Sequence, residues 1–221
     1  MKRIPEPELM TSEEQARAYS EADFSEPHQM FVELFKKEFG SDLSCTVLDL
    51  GCGPADIAVR FAKAYPECTI HGVDGSEAML KYGRARIQKE KLEHAISLIL
   101  GHIPESPLPS NSYGCIIVNS LLHHLPKPEV LWSTIKEYAA PDAIVFVMDL
   151  VRPDTLDAAK DIVEKYCGDE PQILKDDFYN SLLAAYTIDE VKEQLQAAGL
   201  NYLDVKKVTD RHMVISGKIR Q

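Results

Sequence analysis

Short apolar runs alternate along this chain with stretches whose apolar residues recur every three or four positions. TVLDL (46–50), CTIHGVD (68–74), AISLILGH (95–102), YGCIIVNS (113–120) and AIVFVMDL (143–150) read as strands. TVLDL is apolar enough for a strand buried on both faces. PADIAVRFAKAY (54–65), SEAMLKYGRARIQKE (76–90) and PEVLWSTIKEYA (128–139) read as the helices between them. Pro54 is expected near a first helical turn, where its missing N–H costs nothing, and Ser76 caps the second helix. Strand–helix alternation with short turns predicts a parallel sheet with helices on both faces.

The flanks read differently. Residues 1–15, with two prolines and several glutamates, predict an extended lead-in, and Thr11-Ser12-Glu13-Glu14-Gln15 a helix start. Pro27 is expected to break RAYSEADFSEPHQ. A second helix then carries Met30, Phe31, Leu34, Phe35 and Phe39 at helical spacing and ends at Gly40. After Leu150, residues 153–186 read as helical and carry Tyr166, Phe178, Tyr179 and Tyr186. TIDEVKEQLQAAGL is a helix opened by Thr187 with Glu190 three residues on and closed by Gly199. NYLDVKKVTD and RHMVISGKI follow as two strands, and so short a join near Asp210 makes them antiparallel. The expected fold is α/β: a doubly wound, mostly parallel seven-stranded sheet with a C-terminal antiparallel strand pair and helices on both faces.

Composition narrows the class. The 221 residues, 45% apolar and 27% charged, suffice for one sizeable core. A formal net charge of −11 counts against a nucleic-acid partner. Five cysteines are scattered without a C-x-x-C pair, which disfavours a zinc knuckle and suits a reducing, cytoplasmic setting. No apolar run of about 18 residues is present, so no membrane span is expected. The polar, acidic N-terminus lacks the apolar region of a secretory signal.

The chemistry concentrates in VLDLGCGPADIAVRFAKAYPECTIHGVDGSEAML, residues 47–80. A strand delivers Asp49 and then Gly51-Cys52-Gly53 into a sharp turn, where a side chain would keep a ligand from the backbone. The second strand ends in Asp74, whose carboxylate can accept two hydrogen bonds from a ribose diol. A glycine-rich turn also opens dinucleotide sites, but Asp56 stands where G-x-G-x-x-G has its third glycine, and no G-K-[ST] follows for a P-loop. Asp49 and Asp56 would repel a pyrophosphate and suit an ammonium.

In these features the chain resembles the class I, Rossmann-like S-adenosylmethionine-dependent methyltransferase superfamily. The likeness rests on DLGCGPA (49–55), VDGSEAML (73–80) and NSLLHHL (119–125), in order and spacing, and covers roughly residues 44–150. It implies that Asp49, Gly51 and Gly53 cradle the methionine part of S-adenosylmethionine and that Asp74 holds the ribose. It further implies that Gly75, Ser76 and Met79 lie near the adenosine, His102 and Ile103 flank the adenine edge, and Asn119 and Ser120 border the sulfonium. Ala55 replaces a frequent third glycine. His102 stands where an acidic residue often reads the adenine amino group, so backbone groups are left to that task. The division expected is a helical lid over 1–43, a cofactor-binding core over 44–150, a helical insert over 151–186, and a C-terminal helix and strand pair over 187–221, all in one domain.

Other residues carry two readings each. Gly51 and Gly53 could make only a tight turn, Asp74 a helix cap, and Met79 ordinary core. His123 and His124 follow the fourth strand, where an imidazole can take a proton from an acceptor, or merely shape the pocket. They are the candidate catalytic residues; no metal set is expected, since no carboxylate stands near them in the chain. Arg152 either binds an acidic substrate group or pairs with a carboxylate. Phe178, Tyr179 and Tyr186 either wall an acceptor pocket or pack over the sheet edge. Tyr19 and His28 are lid candidates, with a surface helix pair as the alternative. Tyr19, His28, Arg152 and Tyr179 are thus the candidate substrate-binding residues.

The expected activity is methyl transfer to the oxygen or nitrogen of a small molecule, leaving S-adenosylhomocysteine. A protein acceptor and a non-catalytic S-adenosylmethionine-binding protein are the alternatives. A nicotinamide-dependent oxidoreductase fits poorly, because Asp56 spoils the pyrophosphate loop.

Overall fold

The computed structural model describes residues 1–6, 12–106 and 108–220. Its elements run α1 (Glu13–Glu21), α2 (Ser25–Phe39), β1 (Thr46–Leu50), α3 (Asp56–Ala64), β2 (Thr69–Asp74), α4 (Glu77–Glu90), β3 (Ile96–Leu100) and β4 (Tyr113–Asn119). A 3-10 turn (Leu122–His124) then precedes α5 (Glu129–Tyr138), β5 (Ala139–Leu150), α6 (Leu156–Cys167), α7 (Gln172–Ala184), α8 (Ile188–Ala198), β6 (Asp204–Lys207) and β7 (His212–Lys218). The strands form one seven-stranded sheet in the order β3-β2-β1-β4-β5-β7-β6. Strands β1 to β5 run parallel, and β7 runs antiparallel to both β5 and β6. This is the doubly wound sheet and terminal strand pair that the apolar pattern predicts.

The two-residue strand period builds a core on each face. Val47, Cys115, Ile117, Ile144, Phe146 and Met148 point to a face covered by α2, α3 and α4. Leu48, Leu50, Ile116, Val118, Val145 and Val147 point to the other, under α5 and α8. Phe35 meets Phe61 at 4.8 Å, Phe146 at 5.4 Å and Tyr65 at 5.5 Å in edge-on contacts that pin α2 to the sheet. A third apolar group, with Leu150, Ala159 and Leu182, seats α6 and α7 beyond the end of β5.

Local signals behave as the chemistry requires, with one shift. Ser12 caps α1, its side chain accepting from Gln15 N; Thr11 lies outside the described residues. Thr187 and Glu190 form a capping box on α8, and Gly199 closes it at φ +71°. Pro27 is not the break: the chain turns at Ala22–Phe24, and Pro27 sits in the first turn of α2, where proline is tolerated. Pro54 stands two residues before α3, just ahead of its first turn.

Phe35 is fully buried among aromatic rings, so Phe35→Ala is expected to cost about 3–5 kcal/mol of unfolding free energy. Urea denaturation followed by circular dichroism checks this; a loss below about 1 kcal/mol would contradict the packing described.

Candidate active site

Strand order reverses between β1 and β4, and in open parallel sheets the crevice for a ligand lies there, beyond the carboxyl ends of the strands. A cavity of about 640 Å³ opens at that point. The turn after β1 is held by Gly51 N and Cys52 N, which both donate to Val73 O at 2.9 and 3.0 Å. Gly51 and Gly53 adopt φ of +72° and +50°. Their reasons differ. A Cβ on Gly51 would stand 2.9 Å from Leu121 Cδ1, so packing demands glycine, whereas a Cβ on Gly53 would meet nothing within 4 Å and would project into open space. Ala55 also takes a left-handed φ of +59°, which explains why glycine suits that position.

Asp49 sits at this turn with 1% exposure, and its Oδ2 has no hydrogen-bond partner among the described residues. Burial, together with the Asp74 charge, pushes its pKa up to about 7. Asn119 Oδ1, at the end of the neighbouring β4, is likewise buried without a partner. Both residues line the cavity. Two acceptors without a donor make a site for a cationic N–H group. Asp74 accepts from Gly53 N and Ser76 N, each at 2.8 Å, tying the glycine turn to the start of α4. Burial still raises its pKa, against those two bonds.

Asp56 does not act as the sequence suggests. Its Oδ2 takes His28 Nδ1 and Arg60 Nε, both at 2.7 Å, and its Oδ1 lies 3.0 Å from Arg86 Nη1. Burial opposes its charge, but the His28 and Arg60 hydrogen bonds and the neighbouring cations hold its carboxyl well below the usual range. Its charge is matched within the protein, so the local case for an ammonium ligand falls to Asp49 alone. The clamp instead joins α2, α3 and α4.

The fold brings most of the nominated residues to one place. Gly75, Ser76, Met79, His102, Ile103 and Ser120 line the cavity, with Met79 buried and His102 exposed at its rim. Tyr19 and His28 line it from α1 and α2, stacked through Phe24. Burial and the Asp56 and Asp74 charges raise the Tyr19 pKa to about 12, so its phenol stays a donor. Two nominations fall elsewhere. Arg152 points to Glu190 Oε1 at 2.6 Å and Ala185 O at 3.2 Å, which is the pairing reading. Tyr179 packs with the apolar group of α6 and α7, not among the cavity-lining side chains. Of the insert's aromatics, Phe178 and Tyr166 line the cavity, while Tyr186 donates to Leu125 O.

His123 is 2% exposed, with Nδ1 2.7 Å from Asp149 Oδ1. Asp149 also accepts from Leu122 N and Leu150 N, both at 2.8 Å. Burial disfavours a charged His123, but the Asp149 charge and hydrogen bond outweigh it and raise its pKa. The absence of a nearby carboxylate, expected from the sequence, is corrected by the fold: Glu6 Oε1 lies 2.9 Å from His124 Nδ1 and 3.6 Å from His123 Nε2. The first of these is an ion-pair contact, and His124 Nδ1 makes no hydrogen bond among the described residues. Sequence reasoning also missed Arg211, His212 and Asp177, which line the cavity from distant parts of the chain. Asp149 alone had a readable signal, its place at the carboxyl end of a strand.

A family model described as "Methyltransferase domain" matches residues 41–199. The chain belongs to this methyltransferase-domain family. Among curated relatives, it is 30% identical over 107 residues to a demethylmenaquinone methyltransferase of Geobacillus stearothermophilus, covering 48% of this chain and 45% of that protein. It is 38% identical over 81 residues to one from Listeria welshimeri, covering 36% and 34%. The chain therefore spans less than half the length of these relatives. Among solved structures, a SAM-dependent methyltransferase from Aquifex aeolicus aligns with TM-score 0.68 at 20% identity over 93% of this chain and 98% of that one. The plantazolicin methyltransferase, complexed with a triazolic desmethyl analogue and S-adenosylhomocysteine, aligns with TM-score 0.69 at 13% identity over 94% and 91%. At these identities the structures share the fold. The family match takes in the glycine turn, Asp74 and the two histidines; Glu6, Tyr19, His28, Arg211 and His212 lie outside it.

Asp56→Asn leaves His28, Arg60 and Arg86 converging on a neutral amide. The variant is expected to lose about 1–3 kcal/mol of stability in urea denaturation; an unchanged midpoint would contradict a structural role for the clamp.

Proposed function

We propose that the protein transfers a methyl group from S-adenosylmethionine to a small-molecule acceptor, leaving S-adenosylhomocysteine. The observation that carries this reading is the pair of buried, unpartnered oxygens, Asp49 Oδ2 and Asn119 Oδ1, beside a glycine turn open to the cavity. They fit the ammonium of the cofactor's amino-acid part. Asp74, at the end of β2, keeps lone pairs for ribose hydroxyls beyond the two backbone bonds it accepts. Gly75, Ser76 and Met79 face the adenosine, with His102 and Ile103 at the adenine edge. Ser120 borders the sulfonium with Asn119, and Gly51 and Gly53 cradle the methionine.

S-adenosylmethionine supplies a methyl group already activated by its sulfonium. The chain's task is then to align an acceptor and keep water out, and orientation of this kind lowers a barrier by up to about 7–11 kcal/mol. His123, fixed by Asp149, and His124 stand on the cavity wall where a proton leaves a hydroxyl or amine acceptor. Tyr19, on α1, which Arg86 ties to α4 through Ser20 O, and His28, which Asp56 ties to the core, close the cofactor side as a lid. Phe178 and Tyr166 wall the acceptor side.

The cavity of about 640 Å³ has to hold cofactor and acceptor together, which suits a metabolite-sized acceptor, and small-molecule pockets usually measure roughly 300–1,000 Å³. The relatives' names point the same way, to a demethylmenaquinone and a desmethyl-plantazolicin analogue. The net charge of −11 counts against nucleic acid. Five free thiols suit a reducing compartment, and we place the protein in the cytoplasm. No helix among the described residues is long and apolar enough to cross a membrane.

Calorimetric titration with S-adenosylhomocysteine is expected to show one site per chain. Asp49 must be ionised to hold the ammonium, so affinity should fall as the pH drops below about 7, approaching tenfold per unit. Asp49→Asn should bind at least tenfold more weakly at pH 8 and lose the pH dependence. Absence of binding at pH 8 would sink the reading, and methylated product from an acceptor screen separates an enzyme from a cofactor-binding protein.

A further inference from the structure

His123, His124 and Asp177 line the cavity, Glu6 and Asp149 stand behind the two imidazoles, and methyl transfer does not account for all of them. The N-terminal segment is held there by named contacts. Arg3 donates through Nη2 to His123 O at 2.9 Å and through Nε to Ala184 O at 2.5 Å, and its guanidinium lies 4.1 Å from the centroid of the Tyr186 ring. Ile4 N donates to Leu183 O at 3.0 Å. These contacts deliver Glu6 to the 3-10 turn that carries the histidines, where Ser181 Oγ donates to its carboxylate at 3.2 Å.

Glu6, His123 and His124 each offer one donor atom, and the three atoms lie within 4.8 Å of one another. Donors at the usual 2.0–2.2 Å from a zinc ion stand roughly 3.4 Å apart in a tetrahedron. The observed 2.9 and 3.6 Å from Glu6 Oε1 to the two ring nitrogens bracket that separation. His123 already has the second contact that metal-binding histidines make: its Nδ1 is committed to Asp149, which fixes the ring and directs Nε2 toward Glu6. His124 Nδ1 is buried and has no hydrogen bond. Asp177, whose Oδ2 is also buried and unpartnered, adds negative charge close enough to act on both Glu6 and His124. Glu6, Asp149 and Asp177 thus surround two imidazoles, an arrangement that favours a cation. Two nitrogen donors and one carboxylate oxygen select a borderline transition-metal ion over magnesium or calcium, which prefer all-oxygen shells.

We propose that Glu6, His123 and His124 bind one divalent transition-metal ion of the zinc or cobalt class, with a coordination position open to the cavity. This goes beyond the methyl-transfer reading and does not need it. Where both hold, the open position is a place for an oxygen or nitrogen of the acceptor, and the histidines act through the ion. An ion at a cavity wall in that position lowers the pKa of a bound hydroxyl.

The test is titration of the chelator-stripped full chain with Co²⁺ and Zn²⁺ by calorimetry, with the visible spectrum of the cobalt form. One ion per chain is expected, with a cobalt spectrum of nitrogen and oxygen ligation and no thiolate charge-transfer band. Glu6→Gln should weaken metal binding at least tenfold while binding S-adenosylhomocysteine like the parent, which reports an intact fold, and His124→Gln should weaken metal binding as much. No uptake by the parent chain overturns the site, as does equal affinity in Glu6→Gln, or a thiolate band placing the ion at the cysteines. A chain that binds S-adenosylhomocysteine but no metal refutes only this site. One that binds metal but no S-adenosylhomocysteine refutes only the methyl-transfer reading.

Discussion

Asp49 and Asp74 are placed close together at the carboxyl end of a parallel sheet, and no described residue supplies a cation to Asp49. Asp49 is buried and Asp74 half-buried; burial raises the pKa of both, and the Asp74 charge raises that of Asp49 further. A desolvated anion without a partner is unfavourable, and the structure retains one at the point where strand order reverses. Much of the surrounding architecture follows from holding it there. The fully buried β1 fixes Asp49, the left-handed turn after it keeps side chains away, and the bonds from Gly53 and Ser76 keep Asp74 in register with that turn.

The contrast with Asp56 makes the point sharper. Both carboxylates lie within a few residues of the same turn, and both line the cavity. Asp56 is surrounded by His28, Arg60 and Arg86 and is held in its charged form by them. Asp49 has no such company. One carboxylate is used to join three helices, and the other is the one we propose for a ligand. The N-terminal segment repeats the theme on the acceptor side, where Arg3 is used to position the chain and Glu6 faces two imidazoles.

The sheet and the order of its elements were legible because the two-residue and 3.6-residue periods are clean between Thr46 and Leu150. The glycine turn and Asp74 were legible from spacing alone. Asp56 was misjudged and Arg152 kept two readings, because partners distant in sequence decide what a charged side chain does. Asp56 could not be told from Asp49 without Arg60, Arg86 and His28 around it, and Arg152 could not be assigned until Glu190 lay beside it. Glu6 was invisible because nothing local ties residue 6 to a turn after the fourth strand; only the packing of residues 1–6 against α7 brings them together. Proline was over-read at position 27, where a first-turn site absorbs it without a break.

The central claim is that Asp49 is an uncompensated buried carboxylate awaiting a cationic ligand. Carbon-13 NMR of its side-chain carboxyl, followed against pH, measures this directly. The account predicts a pKa near 7 in the free protein and a fall toward the ordinary carboxylate value of 3.8 when S-adenosylhomocysteine is bound. A free-protein pKa already at the ordinary value, or one that ligand leaves unmoved, would contradict it.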